Sequence, residues 1–301
     1  MSNSIGLVTK YLPILDEVYK QASKTAILDA PGEKVRFTGA HTVEIFKTAM
    51  QGLGNYSRNS GFVTGDVTAS WESFTLQWAR GRSFTVDALD DEESLGMAFG
   101  TLVPEFIRTQ LVPEMDAVRL ATYASKSGIL SANKDLAASD DIPGIIDTAV
   151  AAMSNEEVPE EGRILFVSED CYKLLKGDIT RYVANSDRDV NRTIEIFDNM
   201  QVIKVPQTRF NTSVTLYDGS TSGQEAGGYI VPAGSYKINF MIVHPSAVLQ
   251  VVKRAIPRIF TPEQNINADG FKFDYRIEHG ADVEANKVKG IYLHRAATAN
   301  S

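Results

Sequence analysis

Four histidines (His41, His244, His279 and His294), one cysteine (Cys171) and the acidic run Asp90, Asp91, Glu92, Glu93 are the residues here best suited to chemistry. The histidines are scattered, with no pair at the helical spacing of zinc ligands. Each therefore reads as a surface or hydrogen-bonded side chain, and no metal site is expected. A lone cysteine excludes an intramolecular disulfide and reads as a small buried apolar residue. The acidic run lacks the glycine turn and alternating ligands of a calcium loop, and suits the positive end of a helix dipole. The glycine-rich GLGNYSRNSG has neither the lysine nor the strand-to-helix setting of a phosphate loop. No nucleophile-elbow motif stands with the histidines, so no catalytic residue and no cofactor is expected.

Arg80 and Arg82 flank Gly81 and point the same way if their strand is regular. They read either as a solvated face or as a pair bonding carboxylates of another chain. Pro104 and Pro113 stand inside TLVPEFIRTQLVPEMDAVRLATYA, in what otherwise reads as one helix from about Glu92 to Ala124. At ~1.5 Å per residue that helix spans roughly 50 Å, very long for one compact domain. Its apolar stripe passes from Leu95, Phe99, Leu102 and Phe106 to Ile107, Leu111, Met115 and Val118. Each proline removes a donor and crowds the carbonyl four residues back. The segment is thus either one helix bent at Pro104 and Pro113, or two helices with Pro113 in the first turn of the second.

The elements that position these residues belong to a chain of 301 residues, 43% hydrophobic, with room for one large domain or two ordinary ones. A formal charge of −8 argues against holding nucleic acid by neutralising phosphates. The N-terminus lacks a basic stretch before a long apolar run, and no window approaches the ~18–20 apolar residues of a membrane span. The expectation is a soluble chain without a signal peptide.

Residues 1–30 offer only a short apolar face, Val8, Leu12, Leu15 and Tyr19, which must lie against something else. Val35 to Met50 suits strands, with Val43, Ile45 and Phe46 central. Gly52, Gly54, Gly61 and Gly65 then mark a mobile connection. The return puts Phe74, Leu76 and Trp78 on one face at period two, so residues 43–87 read as one long hairpin. Such a hairpin has too little core to stand alone.

Further on, a helix from Pro143 to Met153 begins after Asp141 or Ile142. RILFVSEDCYKLL reads as a strand from Ile164 to Val167, an N-cap at Ser168 and a helix. IEIFDNMQVIKVP and YKINFMIVHP supply strands, the second ending at His244 and Pro245 with a short helix beyond. Between them, residues 211–235 are glycine- and serine-rich and read as an exposed loop. Two closing strands run through Phe271, Phe273, Tyr275 and Ile277, then Ile291 and Leu293. Helices and strands thus alternate along this part of the chain.

From TLQWARGRSFTVDALDDEES and EFIRTQLVPEMDAVRLATYA onward the chain resembles the major capsid proteins of tailed bacteriophages. The similar order continues through PGIIDTAVAAM, RILFVSEDCYKLL, MQVIKVPQTRF, MIVHPSAVLQVVKRA and DGFKFDYRIEHGADVEANKVKGIYLHR, over essentially the whole sequence. None of these segments is catalytic; the resemblance lies in all of them in one order.

The resemblance implies the Hong-Kong-97-type capsid fold. It would divide the chain into an N-terminal arm (1–34), an extended loop (35–88), a peripheral domain with a long spine helix (89–128), an axial domain (129–255) and peripheral return strands (256–301). The implied function is self-assembly into hexamers and pentamers of an icosahedral shell around double-stranded phage DNA, in the virion, built in the host bacterial cytoplasm. Arg80, Arg82, Trp71, Trp78, Gly52, Gly54, Gly61 and Gly65 become candidate assembly residues, and Pro104 and Pro113 the bend of the spine. The implied partners are further copies of the chain, a portal protein and a decoration protein. Since the sequence starts at the arm, a separate scaffolding protein is expected too. The alternatives are an encapsulin-like compartment shell and, from another class, a hydrolase or sugar-binding α+β protein.

Overall fold

The structure, a computed structural model, describes residues 22–29, 35–38, 41–59, 61–87, 103–182, 194–266 and 268–300. The short face at Val8–Tyr19, the acidic run Asp90–Glu93 and the stripe residues Leu95, Phe99 and Leu102 lie outside them. In chain order the strands are β1 (Val35–Phe37), β2 (Thr42–Met50), β3 (Val67–Thr75), β4 (Trp78–Asp87), β5 (Leu130–Asn133), β6 (Ile164–Ser168) and β7 (Ile196–Phe197). They continue with β8 (Met200–Val205), β9 (Thr215–Leu216), β10 (Tyr229–Ile230), β11 (Tyr236–Val243), β12 (Val248–Phe260), β13 (Gly270–Val283) and β14 (Ile291–Ala299). The helices are α1 (Val112–Ser125), α2 (Ile142–Asn155) and α3 (Glu169–Tyr182).

A mixed six-stranded sheet, ordered β5-β14-β11-β6-β8-β7, forms one half of the molecule. Every residue of β6 is buried, because alternate side chains feed two different cores. Leu165 and Val167, with Phe240 and Ile242 of β11, pack against Ile146, Met153, Cys171 and Leu175 of α2 and α3. Ile164 and Phe166, with Met241 and Val243, turn the other way and meet Leu120 and Tyr123 of α1. Both helices start where their caps dictate. Asp141 accepts from the Gly144 amide at 3.2 Å, and Ser168 Oγ accepts from the Cys171 amide at 3.2 Å.

The other half is a three-stranded antiparallel sheet, β12-β13-β4, under the long helix. Phe273, Tyr275 and Ile277 recur at period two along β13 and face Val103, Ile107, Leu111, Val112 and Met115. The sequence places a short helix after Pro245; the structure has only a 3-10 turn, Pro245–Ala247, followed by the thirteen-residue strand β12. Val248, Val251 and Val252 favour extended backbone, and the β13 ladder supplies their partners. Pro257 is tolerated because β12 is an edge strand of this sheet.

Two divisions expected from the sequence move. Residues 43–87 are not one hairpin: β2 and β3 pair from Thr42↔Thr75 to Met50↔Val67, the ladder stops at Leu76 and Gln77, and β4 then pairs with β13. The tail does not stay with the three-stranded sheet after residue 256 either. β14 lies between β11 and β5, completing the six-stranded sheet, while β12 already belongs to the three-stranded sheet from Val248.

The hairpin base is seated by Val43, Phe74 and Leu76 on Leu249 and Val251. Gly280 makes that seat possible. A Cβ there would lie 2.7 Å from Phe74 Cε1 and 3.2 Å from Leu76 Cδ2. Gly280→Ala should therefore overpack the seat and lower stability by about 1–3 kcal/mol in urea unfolding; an unchanged unfolding midpoint would show that the seat yields.

Candidate assembly interface

The ladder of β2 with β3 assigns its side chains to two faces. One face carries Val43 and Phe74 and is spent on the seat just described. The other carries Phe46 opposite Trp71 and Met50 opposite Val67. This second row stays open to solvent: Phe46 is 52% exposed, Trp71 49%, Met50 76% and Val67 69%. The row continues into the tip through Leu53, Tyr56, Phe62 and Val63, all exposed. Their aromatic rings pair with one another, Phe46 with Trp71 at 5.3 Å and Tyr56 with Phe62 at 5.0 Å. Arg36 stands 5.9 Å over the Trp71 ring. Exposed large apolar side chains gathered along one hairpin are the kind of surface that interaction partners cover.

Gly52, Gly54 and Gly65 lie exposed in the connection between β2 and β3. Gly61 closes the tip turn at φ +74°, exchanging two backbone bonds with Ser57 at 2.8 and 3.2 Å. That left-handed conformation favours glycine. Trp78 parts company with this group: it is half-buried, its ring tilted against that of His279 at 5.2 Å.

Arg80 and Arg82 share a face of β4, opposite Ile277 and Tyr275. The carboxylate that Arg80 meets belongs to its own chain. Its guanidinium donates to both oxygens of Glu114 at 2.6 and 3.0 Å, and to the Tyr217 carbonyl at 2.7 Å. The long helix passes over this face of the strand, so the ion pair forms within the fold. Arg82 is exposed and donates to the Glu225 carbonyl at 3.1 Å. Between these arginines, the helix and the 217–228 loop is a cleft of ≈ 640 Å³, lined by Phe84, Phe106, Leu111, Tyr217, Tyr275 and Ile277 among others.

Pro104 and Pro113 bracket a π turn. Residues 103–106 are α-helical, Ile107–Leu111 form the wider turn, and α1 follows without a break. The Val112 amide reaches back five residues to the Ile107 carbonyl. Pro113, at the start of α1, has no amide to give Thr109, and a widened turn avoids crowding that carbonyl. Over the described residues the helical path is continuous from Val103 to Ser125, and Pro113 stands in the first turn of α1. Among described residues the stripe changes core further on, from Met115 over the three-stranded sheet to Leu120 and Tyr123 beside the six-stranded one.

Sequence reading passed over the most constrained polar group. Asp116, fully buried, accepts from Ser23 Oγ at 2.8 Å, the Lys24 amide at 2.9 Å, the Thr25 amide at 3.2 Å and Thr25 Oγ1 at 2.7 Å. Arg209 pairs with its second oxygen at 3.3 Å. Buried Arg119, one turn on, donates to Thr25 Oγ1 and pairs with Asp29 at 3.2 Å. The signal was available: two opposite charges three residues apart inside the apolar run MDAVRLATYA. Beneath the helix, burial first and then the charges of Arg119 and Arg80 lower His279 from 6.5 to about 3. Cys171 is buried on the inner face of α3, and burial pushes its thiol up to about 12.

Solved structures share this architecture at low identity. The capsid structure of the cyanophage P-SCSP1u matches with TM-score 0.58 at 12% identity, over 87% of this chain and 85% of that one. The head structure of Helicobacter pylori bacteriophage KHP40 matches with TM-score 0.56 at 13% identity, over 88% and 89%. A virus-like particle from Pyrococcus furiosus matches with TM-score 0.54 at 12% identity, over 96% and 99%. No protein-family model and no curated protein matches the sequence. The chain has the α+β fold of tailed-phage major capsid proteins. Among the described residues no helix is long and apolar enough to cross a membrane, and no three metal-ligating side chains gather.

Two outcomes follow from the buried groups. The unfolded chain takes up the His279 proton below about pH 6.5 and the folded chain only near pH 3. Stability therefore falls as acid is added across that window, by up to about tenfold in the folding equilibrium per pH unit. His279→Gln should flatten the fall in urea midpoints between pH 6.5 and 4.5; an unchanged slope contradicts the assignment. Asp116→Ala strands several buried donors at a cost of about 3 kcal/mol or more. It should also speed proteolytic cleavage at Ser23–Asp29, and wild-type protection there would refute the anchoring role.

Proposed function

We propose that this chain is the major capsid protein of a tailed phage, assembling through its own copies into the hexamers and pentamers of an icosahedral head that encloses double-stranded DNA. The observation that carries the reading is the open apolar row from Phe46 and Trp71 to Phe62 on a hairpin that, among the described residues, is seated at its base. Each large apolar side chain moved out of water contributes about 1.5–3 kcal/mol. A neighbouring copy can cover the row, and many modest contacts in a closed shell add through multivalency. Trp71 works in that contact directly, whereas Arg80 ties β4 to Glu114 and to the 217–228 loop of its own chain. The glycines at 52, 54, 61 and 65 let one sequence serve positions of slightly different curvature.

The role is structural: binding comes from surface complementarity, with no reaction at its centre. The shell belongs to the virion and is assembled in the host cytoplasm. Scaffolding, portal and decoration proteins are the further partners this reading calls for. The formal charge of −8 suits a container that does not grip its DNA. Likeness to a virus-like particle over nearly all of both chains supports a second reading, an encapsulin-like shell around a cargo protein. The contents decide: nucleic acid inside purified particles favours the first, a co-purifying enzyme the second.

Deleting residues 52–65 removes the tip and leaves the seat on Leu249 and Val251 untouched. The variant should keep wild-type circular dichroism and lose shells in negative-stain images. Normal shells at normal yield would remove the hairpin from the mechanism.

A further inference from the structure

Nε2 and Oε1 of Gln250 on β12, and Nδ1 of His279 on β13, are buried polar atoms that meet no hydrogen-bond partner among the described residues. Each of the two residues is only 1% exposed. Buried polar groups are as a rule paired, so both side chains call for an explanation. Register makes them neighbours. Gln250 pairs with Ala281 and Val252 with His279, which sets Gln250 and His279 diagonally across the ladder on one face, the face towards α1. On one side of them Val248 and Ala281 belong to the core that holds Leu120 and Tyr123; on the other, Val252 and Ile277 belong with Leu111 and Met115. The polar pair therefore occupies the seam between two apolar cores. A bulge between Val252 and Arg254 loosens the ladder beside it.

A carboxamide with both ends unmet calls for a ligand that donates and accepts. An anion has no hydrogen for Oε1, and a cation is opposed by Arg119 and Arg80, whose charges reach His279. Burial keeps the ring neutral at ordinary pH, so Nδ1 donates or accepts as its tautomer requires. Water meets every one of these demands, and internal waters in proteins make about three such bonds each. We propose that ordered water occupies this seam, one molecule of it bridging the Gln250 carboxamide to His279 Nδ1. The bridge ties β12 to β13 next to the bulge, where their own pairing is interrupted.

A reconstruction of the purified protein that resolves ordered water tests the site directly. Density for a water within ~2.7–3.2 Å of both the Gln250 carboxamide and His279 Nδ1 is expected. A direct bond between the two side chains, or a seam with no density between them, overturns the proposal. Paired substitutions test the bridge in solution. Gln250→Leu and His279→Leu each strand one end of it and should each lower the folding equilibrium about tenfold or more in urea unfolding. The variant carrying both removes the polar seam and should lose no more than either alone. Losses that multiply would show that nothing couples the two side chains and would overturn the bridge. Should a leucine variant fail to fold, the reconstruction of the wild-type protein decides.

Discussion

A fully buried carboxylate must be surrounded by donors, and the surroundings of Asp116 join three distant parts of the chain. Ser23, Lys24 and Thr25 wrap it from the N-terminal side, α1 carries it, and Arg209 reaches it from the turn after β8. None of these donors can leave without stranding a buried group, so the N-terminal segment, the long helix and the six-stranded sheet move together or not at all. Arg119 repeats the logic one turn on, through Thr25 and Asp29. The frame that presents the hairpin is rigid for this reason.

Upon that frame the hairpin is deliberately incomplete. Its base is packed, down to a glycine where a methyl group would collide with Phe74, yet the large apolar side chains of its outer row and tip stay exposed. Folding alone leaves this apolar surface in water, and association is the remaining way to remove it. A structure so firm at the seat and so open along the row fits a subunit whose final state is an assembly.

Legibility in the sequence followed local periodicity. The caps at Asp141 and Ser168, the alternation through Phe273, Tyr275 and Ile277, and the all-buried run Ile164–Val167 are written in neighbouring residues. What depends on a distant partner was not. The alternation Phe74, Leu76, Trp78 runs unbroken past the point where β3 ends and β4 begins, because the break is made by β13 taking over the pairing. The strand after Pro245 likewise needs β13 to exist, and β14 reaches the six-stranded sheet only by returning between β11 and β5. Of the candidate interface, Trp71 and the tip glycines were readable as exposed positions. Glu114 as the partner of Arg80 was not, since it lies 34 residues away on another element.

A three-dimensional reconstruction of the purified, assembled protein would bear most directly on the open hairpin row. It should show closed shells in which Phe46, Trp71 and the tip of each copy are buried against its neighbour. Particles in which that row still faces solvent, or a protein that remains monomeric at the concentrations where shells are expected, would contradict it.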